Sequence, residues 1–251
     1  LEITANCIIT AFDLETTGLS ASWDRIVELG AIRWQNGIEI DSYQCLINPQ
    51  RPMPPAVIEV HGITDDDVKD SPIIEEKLSE FIDFLQTDIV VAHNARFDIG
   101  FLRQSCLRAG IAMPSLHYID TCALARRTFP GLTSYSLPTL RDHFGLGGTV
   151  SHRAMEDTRV CLQLFLLCID NGGVIREYFN EGMEGLPQHL ESVKTAIAEH
   201  REVMIEYCDG KGRVTKRRIL PLGVDGGILQ AHCTLRNDNR HFNIERIRRV
   251  W

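Results

Sequence analysis

Residues 7–14 run apolar and then turn acidic, with Asp13 and Glu15 at the end of the run. Such a run fits a buried strand, and acids at its end fit the point where the strand leaves the core. Side chains two apart on a strand share a face, so Asp13 and Glu15 continue the face begun by Ile9 and Ala11. A buried strand needs neighbours. Residues 25–34 and 38–47 supply two, separated by Gln35-Asn36-Gly37, and Asn-Gly is a strong hairpin signal. The three make an antiparallel meander.

Alternation of helices and strands follows. Residues 48–55 are Pro-rich and read as a loop. Ser71-Pro72 predicts a helix start, with Glu75 and Glu76 in the first turn and a stripe of Ile74, Leu78, Phe81, Ile82 and Leu85. A short strand over 89–92 leads to a helix over 95–109, ended by Gly110. Tyr118-Ile119 reads as a strand, 121–128 and 137–144 as helices, and 152–169 as a last helix before Asn171-Gly172-Gly173. The pattern predicts a mixed α/β layer over residues 1–172.

Residues 173–189 have no clear period and read as a linker. Over 190–251, a helix at 190–200 precedes short β runs at 203–207, 214–220, 228–233 and 241–247. That spacing suggests a small barrel or curved sheet. The charge also divides. The net charge of −8 argues at face value against a nucleic-acid binder. Residues 1–185 hold 14 Lys and Arg against 26 Asp and Glu, whereas 186–251 hold 12 against 8, so the second part is positive by 4.

No apolar run approaches the ~20 residues that span a bilayer. The eight cysteines form no CxxC pair and no zinc-finger spacing with histidine, which fits a reduced, cytoplasmic protein. The chain opens at Leu1 rather than Met, which reads as a trimmed start.

Three places put acids where apolar side chains are expected. Asp13 and Glu15 are the first, although a solvated strand end would look the same. Asp157 is the second, in register with Val160, Cys161, Leu164, Leu167 and Cys168 on the apolar stripe of the last helix. A salt bridge to Arg153 or Arg159 is the simpler alternative. Asp98 is the third, three and four residues before Phe101 and Leu102, and it could equally be a first-turn acid favoured by the helix dipole. Four converging carboxylates repel one another unless a cation lies between them, and hard oxygen ligands suit a pair of Mg²⁺ or Mn²⁺ ions. His152 stands five residues before Asp157, ahead of the helix, where an imidazole can take a proton from water near neutral pH.

The segments Phe12-Asp13-Leu14-Glu15-Thr16-Thr17-Gly18, His93-Asn94-Ala95-Arg96-Phe97-Asp98 and His152-Arg153-Ala154-Met155-Glu156-Asp157 resemble the DnaQ-like, DEDDh-type 3′–5′ exonucleases. Val60-His61-Gly62-Ile63-Thr64 and Tyr118-Ile119-Asp120-Thr121 add to the resemblance, which covers about residues 5–170. It implies an RNase H-like mixed five-stranded sheet flanked by helices. It implies metal ligation by Asp13, Glu15, Asp98 and Asp157, with His152 as general base. Thr16, Thr17, Leu19 and His61 match positions that touch the terminal nucleotide. His93, Asn94 and Asp120 are expected to be structural, Asp120 as the cap of the helix at Thr121.

The tail resembles a WYL domain, a small Sm-like β-barrel module. The residues are Ile205-Glu206-Tyr207, Arg217-Arg218-Ile219-Leu220-Pro221-Leu222 and Arg240-His241-Phe242-Asn243-Ile244-Glu245-Arg246-Ile247. It departs from the pattern at Gly227-Ile228-Leu229, where Trp-Tyr-Leu is expected. Lys216, Arg217, Arg218, Arg240 and Arg246 are candidates for a phosphate track, against the simpler reading of a solvated basic face. Gln163-Leu164-Phe165 resembles part of a clamp-binding peptide but falls inside an apolar helix, so core packing is expected. Gly145-Leu146-Gly147-Gly148 is too short for a dinucleotide loop.

The function expected is metal-dependent removal of 5′-mononucleotides from the 3′ end of single-stranded DNA or RNA. The alternative is a nucleic-acid-sensing regulator whose WYL-like part does the work. A homodimer and a replication or repair partner stay open.

Overall fold

A computed structural model describes residues 7–87, 89–114, 116–147, 153–175, 178–179, 190–199, 201–209, 212–225, 228–234 and 238–251. Contacts divide the chain into two units, Leu1–Ser105 with Leu116–Phe179, and Cys106–Ser115 with Asn180–Trp251.

The first unit is built around β1 (Ile9–Thr16), which pairs antiparallel with β2 (Ile26–Gln35) on one side and parallel with β4 (Ile89–Ala92) on the other. β3 (Ile38–Leu46) adds to β2 through the Asn36-Gly37 turn, where both residues have positive φ, 52° and 87°. β5 (His117–Asp120) pairs parallel with β4. The sheet is the mixed five-stranded one expected, in the order β3-β2-β1-β4-β5, and β6 (Tyr178–Phe179) adds a two-residue edge beside β5. That edge falls within the stretch read as a linker, and two residues are too few for a period to show.

Among the described residues, seven helices connect the strands. α1 (Pro55–His61) and α2 (Asp65–Val68) occupy the region after the Pro-rich loop and escaped the periodicity reading because both are short. α2 is held by a capping box in which Asp67 accepts from the Thr64 N–H at 2.8 Å. α3 (Ile74–Leu85) buries the whole predicted stripe, and Phe81 meets Phe12 of β1 edge-on at 6.3 Å. α4 (Arg96–Ala109) follows β4, and α5 (Thr121–Thr128), α6 (Leu137–Phe144) and α7 (Ala154–Asp170) follow β5. Asp120 caps α5 by accepting from the Ala123 N–H at 3.1 Å.

The two faces of β1 part company. Ile9 and Ala11 join Ile32, Val91 and the α7 residues Cys161, Leu164, Phe165 and Cys168 in one core cluster. Leu164 and Phe165 are therefore core, as expected, while Gln163 is exposed and accepts from the Gly147 N–H at 2.8 Å.

The second unit carries α8 (Glu191–Ala198) and an antiparallel half-barrel in the order β10-β9-β8-β7-β11. Its strands are β7 (Val203–Cys208), β8 (Val214–Asp225), β9 (Ile228–Cys233), β10 (Asp238–Asn243) and β11 (Ile247–Val250). Val193, Ala196 and Ile197 of α8 pack on Ile205, Ile219, Leu229 and Phe242. The run expected as one strand over 241–247 is two strands. A 3-10 turn at Ile244–Arg246 carries the chain from β10, beside β9, to β11, which pairs with β7 at the opposite edge. Phe242, Ile244 and Ile247 are buried, so the spacing steps from two residues to three across the turn, where strand alternation ends.

Candidate metal centre

On the α7 side of the sheet, β1 and β2 present three successive rows: Ala11 opposite Ile32, Asp13 opposite Gly30, Glu15 opposite Glu28. The apolar row belongs to the core and the next two carry acids. α7 crosses β2 at Gly30. A Cβ there would lie 2.7 Å from the Ala154 carbonyl carbon and 2.8 Å from the Met155 nitrogen, so only glycine admits the helix this close. Thr158 donates to the Gly30 carbonyl at 3.3 Å. This approach delivers Asp157 to the β1 acids. Ligand atoms of Asp13, Glu15 and Asp157 all lie within 4.8 Å of one another. Asp157 is half-buried rather than fully within the helix stripe, because it faces this cluster and not the core.

Asp98 stands outside that trio but beside it. It is 2% exposed, in the first turn of α4. β4 stops pairing with β1 at Ala11, so the Leu14 N–H is free of that ladder and donates to the Asp98 carboxylate. Burial nevertheless keeps the Asp98 carboxyl well above the usual range, against the hydrogen bonds from the Asp98 and Leu14 N–H groups.

Burial first, then the charges of Asp98, Glu15, Asp157 and Glu28, push Asp13 well above the usual carboxylate range. Burial, then Asp157, Glu28 and Asp98, push Glu15 up to about 8, with Arg153 pulling the other way. Such a cluster wants a cation. An all-carboxylate donor set of this compactness fits a hard divalent ion held by oxygen. The neighbouring arginines are committed elsewhere: Arg153 to Glu28, and Arg159 to Glu156 at 3.1 Å and Glu39 at 3.8 Å.

Glu28 was missed in the sequence reading. It lies in the middle of a strand that is otherwise apolar from Ile26 to Ala31, and an acid inside such a run is the signal that could have marked it. Its carboxylate accepts from Gln44 Nε2 at 2.9 Å, Arg153 Nε at 3.1 Å, Arg153 Nη2 at 2.9 Å and the Ala154 N–H at 3.1 Å. Burial would raise its pKa, but the hydrogen bonds from Arg153, Gln44 and Ala154 outweigh it and hold the carboxyl below its ordinary value.

Of the residues expected at the terminal nucleotide, Leu19 is 88% exposed. The threonines are buried and shape the turn that presents it. Thr16 donates to the Gly18 carbonyl at 2.6 Å, and Thr17 Oγ1 accepts from the Arg25 N–H at 3.0 Å. His61 is buried, and its Nδ1 accepts from the Ile63 N–H at 3.0 Å, so any ring proton sits on Nε2. His152 lies outside the described residues. His93 bridges Thr121 Oγ1 at 3.0 Å and the Tyr135 carbonyl at 2.9 Å, and Asn94 takes the left-handed backbone that opens α4, so both have structural work.

In the second unit, Lys216 and Arg218 are exposed on one face of β8, while Arg217 between them points to the other. Lys216 lies over the Trp251 ring at 5.2 Å. Arg240 is on β10, beside Asp238 at 3.5 Å, and Arg246 is on the 3-10 turn. The five basic residues therefore do not share one strand face. Leu229, from the departed Trp-Tyr-Leu position, is buried in the core cluster. None of the eight cysteines is paired in a disulfide. Among the described residues, no helix is long and apolar enough to cross a membrane.

Comparison with known proteins agrees with this geometry. The RNase T exonuclease family matches residues 10–165, and the WYL domain matches residues 188–250. The DNA polymerase III subunit epsilon of Treponema pallidum is 37% identical over 197 residues, covering 76% of this chain and 92% of that protein. The PolC-type DNA polymerase III of Caldanaerobacter subterraneus subsp. tengcongensis is 35% identical over 159 residues, or 63% of this chain, but the match spans only 11% of that much longer protein. Among solved structures, exonuclease X in complex with 5′ overhanging duplex DNA superposes with a TM-score of 0.53 at 28% identity, over 64% of this chain and 91% of that one. A family match across most of the first unit, with a relative covered almost end to end, places this chain in the RNase T/DnaQ-like exonuclease family, followed by a WYL domain.

Proposed function

We propose that this chain is a metal-dependent 3′–5′ exonuclease that removes 5′-mononucleotides from single-stranded nucleic acid. The observation that carries the reading is the convergence of Asp13, Glu15 and Asp157 within 4.8 Å, with Asp98 beside them. Its relatives, a polymerase epsilon subunit and an exonuclease seen on DNA, favour DNA over RNA as substrate.

Asp13, Glu15 and Asp157 would hold divalent cations, with Asp98 as the fourth acid, and two Mg²⁺ or Mn²⁺ ions suit the charge. Bound there, they supply Lewis-acid stabilisation of charge on the phosphodiester oxygens. The remaining work belongs to the chain. His152, one residue ahead of the α7 N-cap Arg153, takes a proton from the attacking water. Oxygen from that water bonds to the terminal phosphorus, the bond to the 3′ oxygen breaks, and that oxygen takes up a proton. The products are a 5′-mononucleotide and a shortened strand with a 3′ hydroxyl. Leu19, exposed on the loop after β1, packs against the terminal nucleotide; Thr16, Thr17 and His61 hold the surrounding turn and helix end.

The boundary between the nuclease part and the WYL part is placed in residues 173–189. Lys216 and Arg218, on one face of β8, are read as phosphate contacts of the second unit, with Arg217, Arg240 and Arg246 as further contacts.

The test is digestion of matched 5′-labelled DNA and RNA oligonucleotides, single- and double-stranded, with Mg²⁺ or Mn²⁺. Stepwise shortening from the 3′ end is expected, abolished by excess EDTA and by Asp157→Asn. Undiminished digestion under either condition would sink the mechanism.

A further inference from the structure

Glu28 poses a problem that the acidic trio does not solve. It is fully buried opposite Glu15, and its charge adds to the repulsion that raises Asp13 and Glu15. A neutral glutamine would fill the same volume without that cost. The donors explain the carboxylate. Four N–H bonds converge on it, from Gln44, from two nitrogens of Arg153 and from the Ala154 backbone, and both of its oxygens are used. Only an acceptor-only group satisfies them all, because a glutamine NH₂ would face a donor.

These bonds tie the start of α7 to β2. The N-cap residue Arg153 makes no capping bond with its own side chain. The cap arrives instead from the adjacent strand, where Glu28 takes the Ala154 N–H and grips the Arg153 guanidinium bidentately. Gly30, two residues along the same face, removes the Cβ that would push the helix away. Asp157 lies one turn into this helix, and its N–H bonds the Arg153 carbonyl at 3.0 Å.

We propose that Glu28 is a positioning residue of the active centre: through Arg153 and Ala154 it fixes the first turn of α7, and so sets where Asp157 stands relative to Asp13 and Glu15. Glu28 and Arg153 touch neither substrate nor metal in this role. The inference rests on the exonuclease reading above for its catalytic consequence, and on the carboxylate geometry for its effect on metal binding.

The experiment compares wild type, Glu28→Gln, Arg153→Gln and the double variant. Turnover is measured on a single-stranded oligonucleotide, and Mn²⁺ binding to the metal-free proteins by calorimetry. Each single variant is expected to lose about 10- to 100-fold in kcat and in Mn²⁺ affinity, the range for removal of a partner that orients ligands. KM should stay within about threefold, and the double variant should be no worse than the poorer single, because the two residues act as one unit. Should Glu28→Gln fail to fold, Arg153→Gln decides, since that side chain is 40% exposed. A folded Arg153→Gln protein with wild-type kcat and Mn²⁺ affinity overturns the proposal, as does a loss confined to KM. A wild-type protein that binds Mn²⁺ but digests nothing overturns the exonuclease reading instead, and the Mn²⁺ comparison alone then decides on Glu28.

Discussion

Glu15 and Glu28 stand opposite each other across β1 and β2, on the same face of the sheet, yet their carboxyls move in opposite directions. Glu28 is satisfied by Arg153, Gln44 and a backbone N–H; Glu15 faces burial and the charges of Asp157, Glu28 and Asp98, which lift it to about 8. The difference separates a structural carboxylate from one that awaits a cation.

Stability of the metal-free protein should therefore depend on pH. Glu15 rises from an ordinary 4.5 to about 8 on folding, so between those values the folded chain binds more protons than the unfolded one. Stability then falls as pH rises through that window. The melting temperature of EDTA-treated protein is expected to drop from about pH 5 to about pH 8. Added Mn²⁺ should restore more at the upper end than at the lower. A metal-induced rise that is equal at both would contradict the assignment.

Asp13→Asn and Asp157→Asn each remove one repelling charge. Their metal-free melting temperatures should be no lower than wild type, while cleavage falls at least about 100-fold, the scale of losing one preorganised electrostatic group. Parallel calorimetric unfolding and oligonucleotide digestion check both halves.

His152→Ala should lower turnover by about 100-fold or more near neutral pH, as loss of a general base does. The pH–rate profile is the discriminating measurement. Loss of its acidic limb is expected, and an unchanged profile would remove His152 from the proton transfer.

Gly30→Ala sets a Cβ 2.7 Å from the Ala154 carbonyl carbon, backbone against backbone, so neither side yields cheaply. Overpacking of this kind costs about 1–3 kcal/mol. Urea denaturation should show that loss, accompanied by weaker Mn²⁺ binding as α7 is pushed off β2.

For the second unit, replacing both Lys216 and Arg218 by Gln should reduce the salt dependence of single-strand binding. The slope of log K against log salt should shrink by about 0.7 per lost phosphate contact. An unchanged slope would leave these residues as a solvated face.

Much of this site was legible along the chain. Asp13 and Glu15 announced themselves by interrupting an apolar face, and Asp157 by its register with Cys161 and Leu164. Asp98 was readable as an acid ahead of Phe101 and Leu102, but not its placement just outside the trio, where the pairing of β1 with β4 stops at Ala11 and the Leu14 N–H bonds the Asp98 carboxylate. α1 and α2 were lost in the Pro-rich stretch because neither is long enough to show a period. The last β run reads as one strand because Phe242 and Ile244 keep strand spacing, and the only mark of the 3-10 turn is the three-residue step from Ile244 to Ile247.

Local chemistry along the chain determined which residues are strands, which are helices and which acids interrupt them, because periodicity and turn residues act over a few positions. What the tertiary structure alone decided is which acid meets a cation site and which meets an arginine. Glu28 and Arg153 are far apart in sequence, as are Gly30 and Ala154, and only sheet register and the docking of α7 bring them together. Burial and neighbouring charge set the state of each carboxyl, and both are properties of the packed fold rather than of any segment within it.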